Sequence, residues 1–217
     1  MYSSMHELML QAFGETLWMV FASAFFGTLF GLPLGIALHI TKPGQIATNS
    51  AVNKSLGIIV NVGRSVPFII LLVAIIPLTR LIIGTSIGTN AAIVPLAISA
   101  IPFLARLIEG ALMEVPAGLI EAAKAMGATP KQIITKVLLP EAMPGILNGV
   151  VITLVALVNY SAMAGAVGGG GLGDVGIRYG YQRWDPATML TTVVILVVLV
   201  QVIQSIGDRL VKKFDHR

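Results

Sequence analysis

The stretch IEAAKAMGATPKQIITKVLLP, residues 120–140, is too polar to lie inside a lipid bilayer, although long apolar segments flank it on both sides. Pro116, just before it, suits the first turn of a helix. Gly127 suits the position that follows a helix C-terminus, where a left-handed backbone is common. The sequence therefore predicts a short helix over about residues 117–126.

A second helix is predicted over about residues 130–139. Thr129 is a favourable N-cap residue, and Gln132 can return a hydrogen bond to the backbone of that cap, which completes a capping box. Pro130 fits the first helical position, where its missing N–H has no cost. The two helices would meet at a tight corner formed by Gly127 and Ala128.

Small side chains dominate the first of these helices. Ala122, Ala123 and Ala125 leave a flat surface, and Glu121 and Lys124 place charge beside it. Another protein could approach such a surface closely, so we interpret it as a candidate docking site. The alternative is a solvated amphipathic connector between two membrane helices.

The composition is that of a membrane protein. Of the 217 residues, 56% are hydrophobic and only 11% are charged, whereas soluble domains carry about 25% charged residues. The chain has no cysteine, which excludes disulfides and thiol nucleophiles, and its three histidines (His6, His39 and His216) are far apart, so no metal site is expected. The net charge of +4 is better explained by membrane topology than by a nucleic-acid partner.

The apolar segments predict a single all-α transmembrane domain over residues 1–217 with five spans. The first contains Gly27, Gly31 and Gly35, a spacing of small residues that favours close packing against another helix. Residues 1–15 lack the basic region of a secretory signal and are expected to form a short, non-cytoplasmic N-terminus. The five predicted spans cover about residues 16–40, 56–83, 91–108, 142–167 and 187–206.

The distribution of lysine and arginine predicts the orientation. With the N-terminus outside and the C-terminus in the cytoplasm, three basic residues lie outside and Arg64 lies within a span. Ten lie inside: Lys42, Lys54, Arg106, Lys124, Lys131, Lys136, Arg209, Lys212, Lys213 and Arg217. The reverse orientation would invert this bias, so we expect residues 117–139 to face the cytoplasm.

Arg64 is the clear charge within the predicted spans. An ionisable side chain there needs a partner, a wet cavity or access to the membrane interface. A role in anchoring the helix and a role in a gate or pathway are both open.

The fourth span is the most polar. On a helical wheel Asn148 and Asn159 lie about 20° apart and Met163 about 60° from Asn148, which is typical of a face inside a helix bundle. Tyr160 and Thr153 share a neighbouring face. Met163 lies among small residues, where its flexible thioether could close a narrow passage or simply fill the core.

The glycine-rich stretch GGGGLGDVGIRYGYQRWD, residues 168–185, contains a literal G-x-G-x-x-G pattern. A dinucleotide site needs a preceding strand and a βαβ unit, and here a membrane helix precedes the glycines. We interpret the stretch as a re-entrant or extracytoplasmic loop with aromatic residues at the interface.

The sequence indicates no energy source of its own, because it has no phosphate-binding loop and no clear mid-membrane acid or histidine. Uphill transport would need energy from another chain, received at residues 117–139, and a five-helix bundle would need a second copy, most simply with twofold symmetry. Two other classes stay open. One is a nucleotide-independent secondary carrier or channel, and the other is an integral-membrane enzyme, for which no acid–base or metal constellation is seen.

The stretch 120–140 also resembles a known family. Glu121-Ala122-Ala123, then Gly127, then Val137-Leu138-Leu139-Pro140 resembles the EAA loop of bacterial ABC-importer permeases, with Val137 where the family has Ile. The resemblance implies that this loop is a cytoplasmic coupling helix that docks on an ATP-hydrolysing subunit. Glu121, Ala122, Ala123, Gly127 and Pro140 would be its coupling residues.

Other stretches are similar to the methionine-importer permeases, namely GRSVPF (63–68), residues 160–173 and IRYGYQRW (177–184). This similarity implies a type I ABC-importer permease fold with five transmembrane helices per subunit, in the bacterial inner membrane, as a homodimer. Two ATPase subunits would bind ATP and Mg²⁺, and this chain itself would bind no cofactor. A periplasmic, lipid-anchored binding protein would deliver methionine. Asn159, Tyr160, Ser161, Met163 and Arg64 are the expected gate and pathway residues, and another amino acid or small organic solute is the alternative substrate.

Overall fold

The computed structural model describes residues 5–214, and every regular element in that range is helical. Two π-helical turns, Ile134–Leu138 and Gly176–Tyr181, interrupt the α-helices. The α-helices are α1 (Met5–Ile40), α2 (Ser50–Ser65), α3 (Phe68–Ala74), α4 (Ile76–Ile83), α5 (Thr89–Met113), α6 (Ala117–Ala125), α7 (Pro130–Ile133), α8 (Leu139–Ala166), α9 (Gly171–Val175) and α10 (Pro186–Phe214).

Within the described residues, four helical runs are long and apolar enough to cross a membrane: α1, α5, the run Pro130–Ala166, and α10. The pair α2 and α3 passes the same test together but is bent by 100°, so it can form a fifth, broken span. The all-α membrane fold predicted from the sequence is confirmed.

Helix α1 packs mainly on α5, and the glycines of α1 make this contact close. A Cβ atom added to Gly27 would lie 2.8 Å from Cβ of Ala100, and one added to Gly35 would lie 2.7 Å from the carbonyl oxygen of Ala105. The predicted face of small residues is therefore the surface on which α1 and α5 meet.

The segment predicted as one span over residues 56–83 is instead three helices. Val66 has an extended backbone because the ring of Pro67 disfavours a helical conformation in the residue before it. A second break falls at Ile75, just before Pro77 enters the first turn of α4. The prediction treated the apolar run as continuous and gave no weight to these two prolines.

The other predicted spans are shorter than the observed helices. α1 begins by Met5 rather than near residue 16, α5 covers Thr89–Met113 rather than 91–108, and α10 continues to Phe214 rather than ending near 206. An apolar run measures the thickness of the membrane, whereas a helix continues into water wherever good helix-forming residues follow. Residues 1–4 of the predicted outer N-terminus, and His216 and Arg217, lie outside the described residues.

The predicted helix 130–139 and the predicted span 142–167 are one continuous run from Pro130 to Ala166. Pro140 lies in the first turn of α8, directly after the π-helical turn Ile134–Leu138. Its ring would collide with the carbonyl four residues earlier in a regular α-helix, and a π-helical turn widens the backbone at that place. Pro140 therefore does not separate the corner from the membrane helix.

Two hydrophobic clusters form most of the core. One surrounds Met19, Leu96 and Leu157 in the half of the bundle nearest the N-terminus of α1. The other surrounds Ile108 and Leu112 at the opposite end and continues into α6 and α7 through buried side chains. The second cluster attaches residues 116–138, here called the corner unit, to the end of α5.

Candidate functional site

The first helix of the corner unit ends as the sequence predicts. Gly127 has φ of 78°, a left-handed conformation that favours glycine. Its amide donates to the carbonyl of Lys124 at 3.0 Å, and the amide of Ala128 donates to the carbonyl of Ala123 at 3.1 Å. These two hydrogen bonds form a Schellman motif, which satisfies the last carbonyls of α6.

The predicted capping box at the start of α7 is also present. The amide of Gln132 donates to Thr129 Oγ1 at 3.4 Å, and the amide of Thr129 donates to Gln132 Oε1 at 2.8 Å. Pro130 occupies the first helical position. Both ends of the corner are therefore closed by hydrogen bonds between residues close in sequence.

Burial divides the predicted coupling residues into two groups. Ala123 is only 3% exposed and packs with Ile120 in the second hydrophobic cluster, so it is not part of the outer surface. Glu121, Ala122 and Gly127 are exposed. The predicted outer face of three alanines does not include Ala123, whose small size lets α6 approach the core. Its role in coupling stays a prediction.

Two apolar residues that the sequence analysis did not single out complete the outer surface of α6. Met126 is 82% exposed and Leu119 is 42% exposed. With Ala122 they follow the spacing i, i+3, i+7 and so lie along one stripe of the helix. A stripe of this kind on a helix end that reaches water indicates a surface for another protein, and the helical spacing alone could have revealed it.

The predicted gate residues on α8 do not all share one face. Met163 is 46% exposed and Asn159 is exposed, and together with Asn148 they lie on a stripe that no other part of the described chain covers. Ser161 is buried, and its hydroxyl donates to the carbonyl of Val158 at 2.7 Å. Ser161 therefore lies in the interior of this chain, and filling of the chain's own core does not explain Met163.

Tyr160 connects α8 to the broken helix pair. Its ring stacks on Phe68, the first residue of α3, with the ring centroids 4.8 Å apart and the planes inclined by 8°. Arg64 lies just before the break between α2 and α3, and its side chain is exposed. Within residues 5–214 Arg64 has neither a hydrogen bond nor an ion pair. The structure thus brings Tyr160 to the break and leaves Arg64 on the surface beside it.

The stretch 168–185, here called the glycine loop, is folded and not extended. α9 is held from α1, because Glu15 Oε2 accepts from the amide of Gly171 at 2.7 Å and Thr16 Oγ1 accepts from the amide of Leu172 at 2.9 Å. The amide of Gly88 donates to the carbonyl of Gly168 at 2.9 Å. These contacts join residues far apart in sequence, and no local pattern revealed them.

Groups that could ligate a metal do not cluster: among residues 5–214 there is no group of three or more histidine, aspartate or glutamate side chains with suitable placement. His39 is buried at the end of α1, and neither of its ring nitrogens has a hydrogen-bond partner among these residues. Among the residues singled out from the sequence, the exposed ones lie mainly on the outer stripe of α6 and on the stripe of α8 that carries Asn159 and Met163.

Comparison with known proteins shows the family to which the chain belongs. Residues 27–217 match the family described as "Binding-protein-dependent transport system inner membrane component". The chain is 64% identical over 211 residues to a probable D-methionine transport system permease protein MetI of Vibrio cholerae, covering 97% of this chain and 94% of that protein. It is 57% identical over 165 residues to the D-methionine transport system permease protein MetI of Escherichia coli, covering 76% of each.

Solved structures show the same fold. A chain from the inward-facing MetNI methionine ABC transporter superposes with a TM-score of 0.97 at 55% identity, with all of both chains covered. An amino acid ABC transporter solved with histidines superposes with a TM-score of 0.73 at 20% identity, covering 96% of this chain and 93% of that one, which indicates a shared fold alone. The permease fold that the sequence resemblance implied is confirmed.

Proposed function

We propose that this chain, which belongs to the family of binding-protein-dependent transport-system inner membrane components, imports methionine as the permease subunit of an ABC transporter. The observation that carries the proposal is the corner unit. Its first helix, α6, has one face packed in the core and one face exposed, on a chain that has no phosphate-binding loop of its own. The substrate is taken from the relatives, which are named for D-methionine and methionine transport.

The assembly we propose contains two copies of this chain and two ATP-binding subunits, with ATP and Mg²⁺ held by those subunits. A periplasmic or lipid-anchored binding protein delivers the substrate. The chain lies in the bacterial inner membrane with its N-terminus outside and its C-terminus in the cytoplasm, as the lysine and arginine distribution favours. This orientation places the corner unit on the side where an ATPase operates.

The ATP-binding subunit would dock on the exposed surface of α6. Leu119, Ala122 and Met126 offer an apolar stripe, and Glu121 places a charge at its edge. Gly127 closes the helix at the end of this surface and leaves open space around it. Pro140 acts differently, because it lies on the continuous run that leads from the corner into α8.

The translocation path would lie along the exposed stripe of α8. In a symmetric pair the two stripes could face each other, with Asn159 and Met163 of each copy lining a path of low charge. Such a path suits a zwitterion with an apolar side chain. Arg64 and Tyr160 lie at the break of α2 and α3, where a change of bend would open or close the path. ATP biases this change only if its subunits bind the two conformations with different affinity.

Uptake in proteoliposomes tests the function. The chain would be copurified with its ATP-binding subunits, reconstituted, and supplied with the binding protein and labelled D- or L-methionine. We expect uptake with ATP inside the vesicles and none with a non-hydrolysable analogue. Equal uptake in both cases would indicate a secondary carrier or channel, and ATP-dependent uptake of other solutes alone would refute methionine as the substrate.

Docking is tested by Gly127→Asp, which places a charged side chain at the end of the α6 surface. We expect loss of the ATP-binding subunits during copurification and loss of uptake, with membrane insertion unchanged. Gly44→Asp is the matched control, because Gly44 also has a positive φ (81°) and open space around it but lies outside the corner unit. ATP-driven uptake at the normal rate by a folded Gly127→Asp complex would contradict the docking role.

A further inference from the structure

A polar cluster that the sequence analysis passed over lies where the ends of α1, α2 and α5 meet. Glu109 of α5 is 1% exposed, and its carboxylate has two cationic partners. Lys42 Nζ is 2.8 Å from Oε1, and an Arg106 guanidinium nitrogen is 2.5 Å from Oε2. Lys42 belongs to the link between α1 and α2, so Glu109 fastens that link to α5.

The cluster also reaches α2 directly. The second terminal nitrogen of Arg106 donates to Asn61 Oδ1 at 2.6 Å. Hence the guanidinium bridges a buried carboxylate on α5 and a side-chain amide on α2. Charge-assisted hydrogen bonds of this kind are about twice as strong as neutral ones and hold a fixed geometry, because the guanidinium fork is planar.

Burial shows which member holds the cluster together. The side chains of Lys42 and Arg106 are 30% and 31% exposed, so both cations can reach water, whereas that of Glu109 is 2% exposed and cannot. A buried charge without partners is strongly unfavourable. The two cations, and through Arg106 the amide of Asn61, are therefore held in place by the carboxylate of Glu109.

The position of Glu109 on α5 connects the cluster to the corner unit. Ile108 and Leu112, its neighbours on the last turns of α5, pack in the cluster that contains Ile120 and Ala123 of α6. The end of α5 thus contacts the corner unit on one side and, through Glu109 and Arg106, holds α2 on the other.

Beyond Asn61 the contacts continue to α8. An added Cβ on Gly63 would lie 3.0 Å from Cγ of Pro102, so α2 and α5 are in close contact one half-turn further along. The break at Val66 and Pro67 follows, and then Phe68 stacks on Tyr160 of α8. A displacement of α2 at Asn61 would therefore reach the break and the candidate gate.

We propose that Glu109 is a positioning residue for transport: through Arg106 and Asn61 it makes α2 follow the movement of the corner unit. This inference rests on the proposed function, since it requires that ATP moves the corner unit. A purely structural role would instead make α2 part of a static scaffold. In that case loss of the contacts from Glu109 through Arg106 to Asn61 would lower ATP hydrolysis and methionine uptake together.

The first test measures methionine uptake per ATP hydrolysed by the whole reconstituted transporter. We expect Glu109→Gln to lower this ratio at least tenfold while ATP hydrolysis falls less than threefold, and Glu109→Asp to restore part of the ratio. Asp208→Asn is the matched control, because it makes the same change of carboxylate to amide at the same end of the bundle. Asp208 is exposed, and its side chain accepts a hydrogen bond only from Gln204. It should leave both rates unchanged.

A milder variant keeps the test decisive where Glu109→Gln fails to assemble. Asn61→Ala removes only the contact to α2 and leaves Glu109 with both cations. We expect Asn61→Ala to lower methionine uptake per ATP hydrolysed about threefold. The double variant Asn61→Ala/Arg106→Gln should have the same ratio as Arg106→Gln alone. A normal ratio in Asn61→Ala, or a proportional fall of both rates, would overturn the proposal.

The second test does not depend on substrate. The chain has no cysteine, so a single spin label can be attached at Ile58→Cys in α2 or at Lys131→Cys in α7, and the distance between the two copies measured with and without trapped ATP. Both distances should change in the parent protein, and only the Lys131 distance should change when Glu109→Gln or Asn61→Ala is present. Movement of both labels in these variants would overturn the proposal that Glu109 makes α2 follow the corner unit. Absence of ATP-dependent methionine uptake by the parent protein would separately refute the proposed function.

Discussion

The corner unit and the glycine loop are built from similar parts and are stabilised in opposite ways. Each has a short α-helix, a glycine with positive φ and a π-helical turn. In the corner unit the Schellman motif and the capping box join residues at most five positions apart. In the glycine loop the amides at the start of α9 are bound by Glu15 and Thr16, which are 156 positions away. The corner unit is therefore stabilised by local hydrogen bonds, and the glycine loop by hydrogen bonds to a distant helix, α1.

The surroundings of their glycines differ in the same way. An added Cβ on Gly127 would meet nothing within 4 Å, while one on Gly171 would lie 2.7 Å from both Thr16 Oγ1 and Met19 Cε. The backbone at Gly127 therefore has room for a side chain, whereas the backbone at Gly171 is packed against α1. A positive φ alone does not show which of these two surroundings a glycine has.

The largest expected effect comes from Gly171→Ala. The left-handed backbone costs an alanine about 1–2 kcal/mol, and overpacking against α1 costs about 1–3 kcal/mol more. Gly127→Ala should cost only the first amount, because its φ of 78° is similar to the 76° of Gly171 but its surroundings are open. Thermal unfolding in detergent would compare the two. Equal losses of stability would break the contrast between the units.

Next in size is Glu15→Ala, which removes the acceptor for the amide of Gly171. Loss of a hydrogen bond to a charged group costs about 1.5–3 kcal/mol. Proteolysis of the glycine loop should accelerate accordingly. Gln11→Ala is the control, since Gln11 contacts only the other oxygen of the same carboxylate. A loop equally resistant in both variants would show that α9 does not depend on α1.

Ala123→Leu tests how far the corner unit depends on the core. Three extra carbons at a residue 3% exposed should destabilise the protein by overpacking, by about 1–3 kcal/mol. Ala122→Leu, on the exposed side of the same helix, should change stability by about 0.5 kcal/mol or less while it weakens binding of the ATP-binding subunit. The thermal midpoint and the amount of copurified ATPase separate the two outcomes. The reverse pattern would mean that Ala123, and not Ala122, contacts the partner.

The smallest effect is expected from Thr129→Ala, which removes the side-chain acceptor of the capping box. Loss of an N-cap costs about 1 kcal/mol. Because α7 continues into the run to Ala166, only the corner should loosen, and hydrogen exchange should rise at residues 129–132 and not in α8. Faster exchange throughout α8 would show that the cap stabilises the whole run.

Sequence reasoning was most accurate where a signal is local. Gly127, Thr129 and Gln132 each determine a backbone conformation through neighbours a few positions away, so both ends of the corner could be predicted. Apolar length located the membrane segments but not their ends. It missed the break at Pro67 because hydropathy does not register the restriction that a proline places on the residue before it. For the candidate site, the exposed role of Ala122 could be predicted and the burial of Ala123 could not.

An all-α membrane protein with a capped corner between two of its spans could be predicted from the residues alone, because length, apolarity and capping act within a few turns of helix. The three-dimensional packing was needed to place Ala123 and Ser161 in the interior, to bind the glycine loop through Glu15 and to pair Glu109 with Lys42 and Arg106. Burial and long-range pairing depend on which helix faces meet. Many arrangements of one set of apolar helices satisfy the same local rules, and packing selects among them.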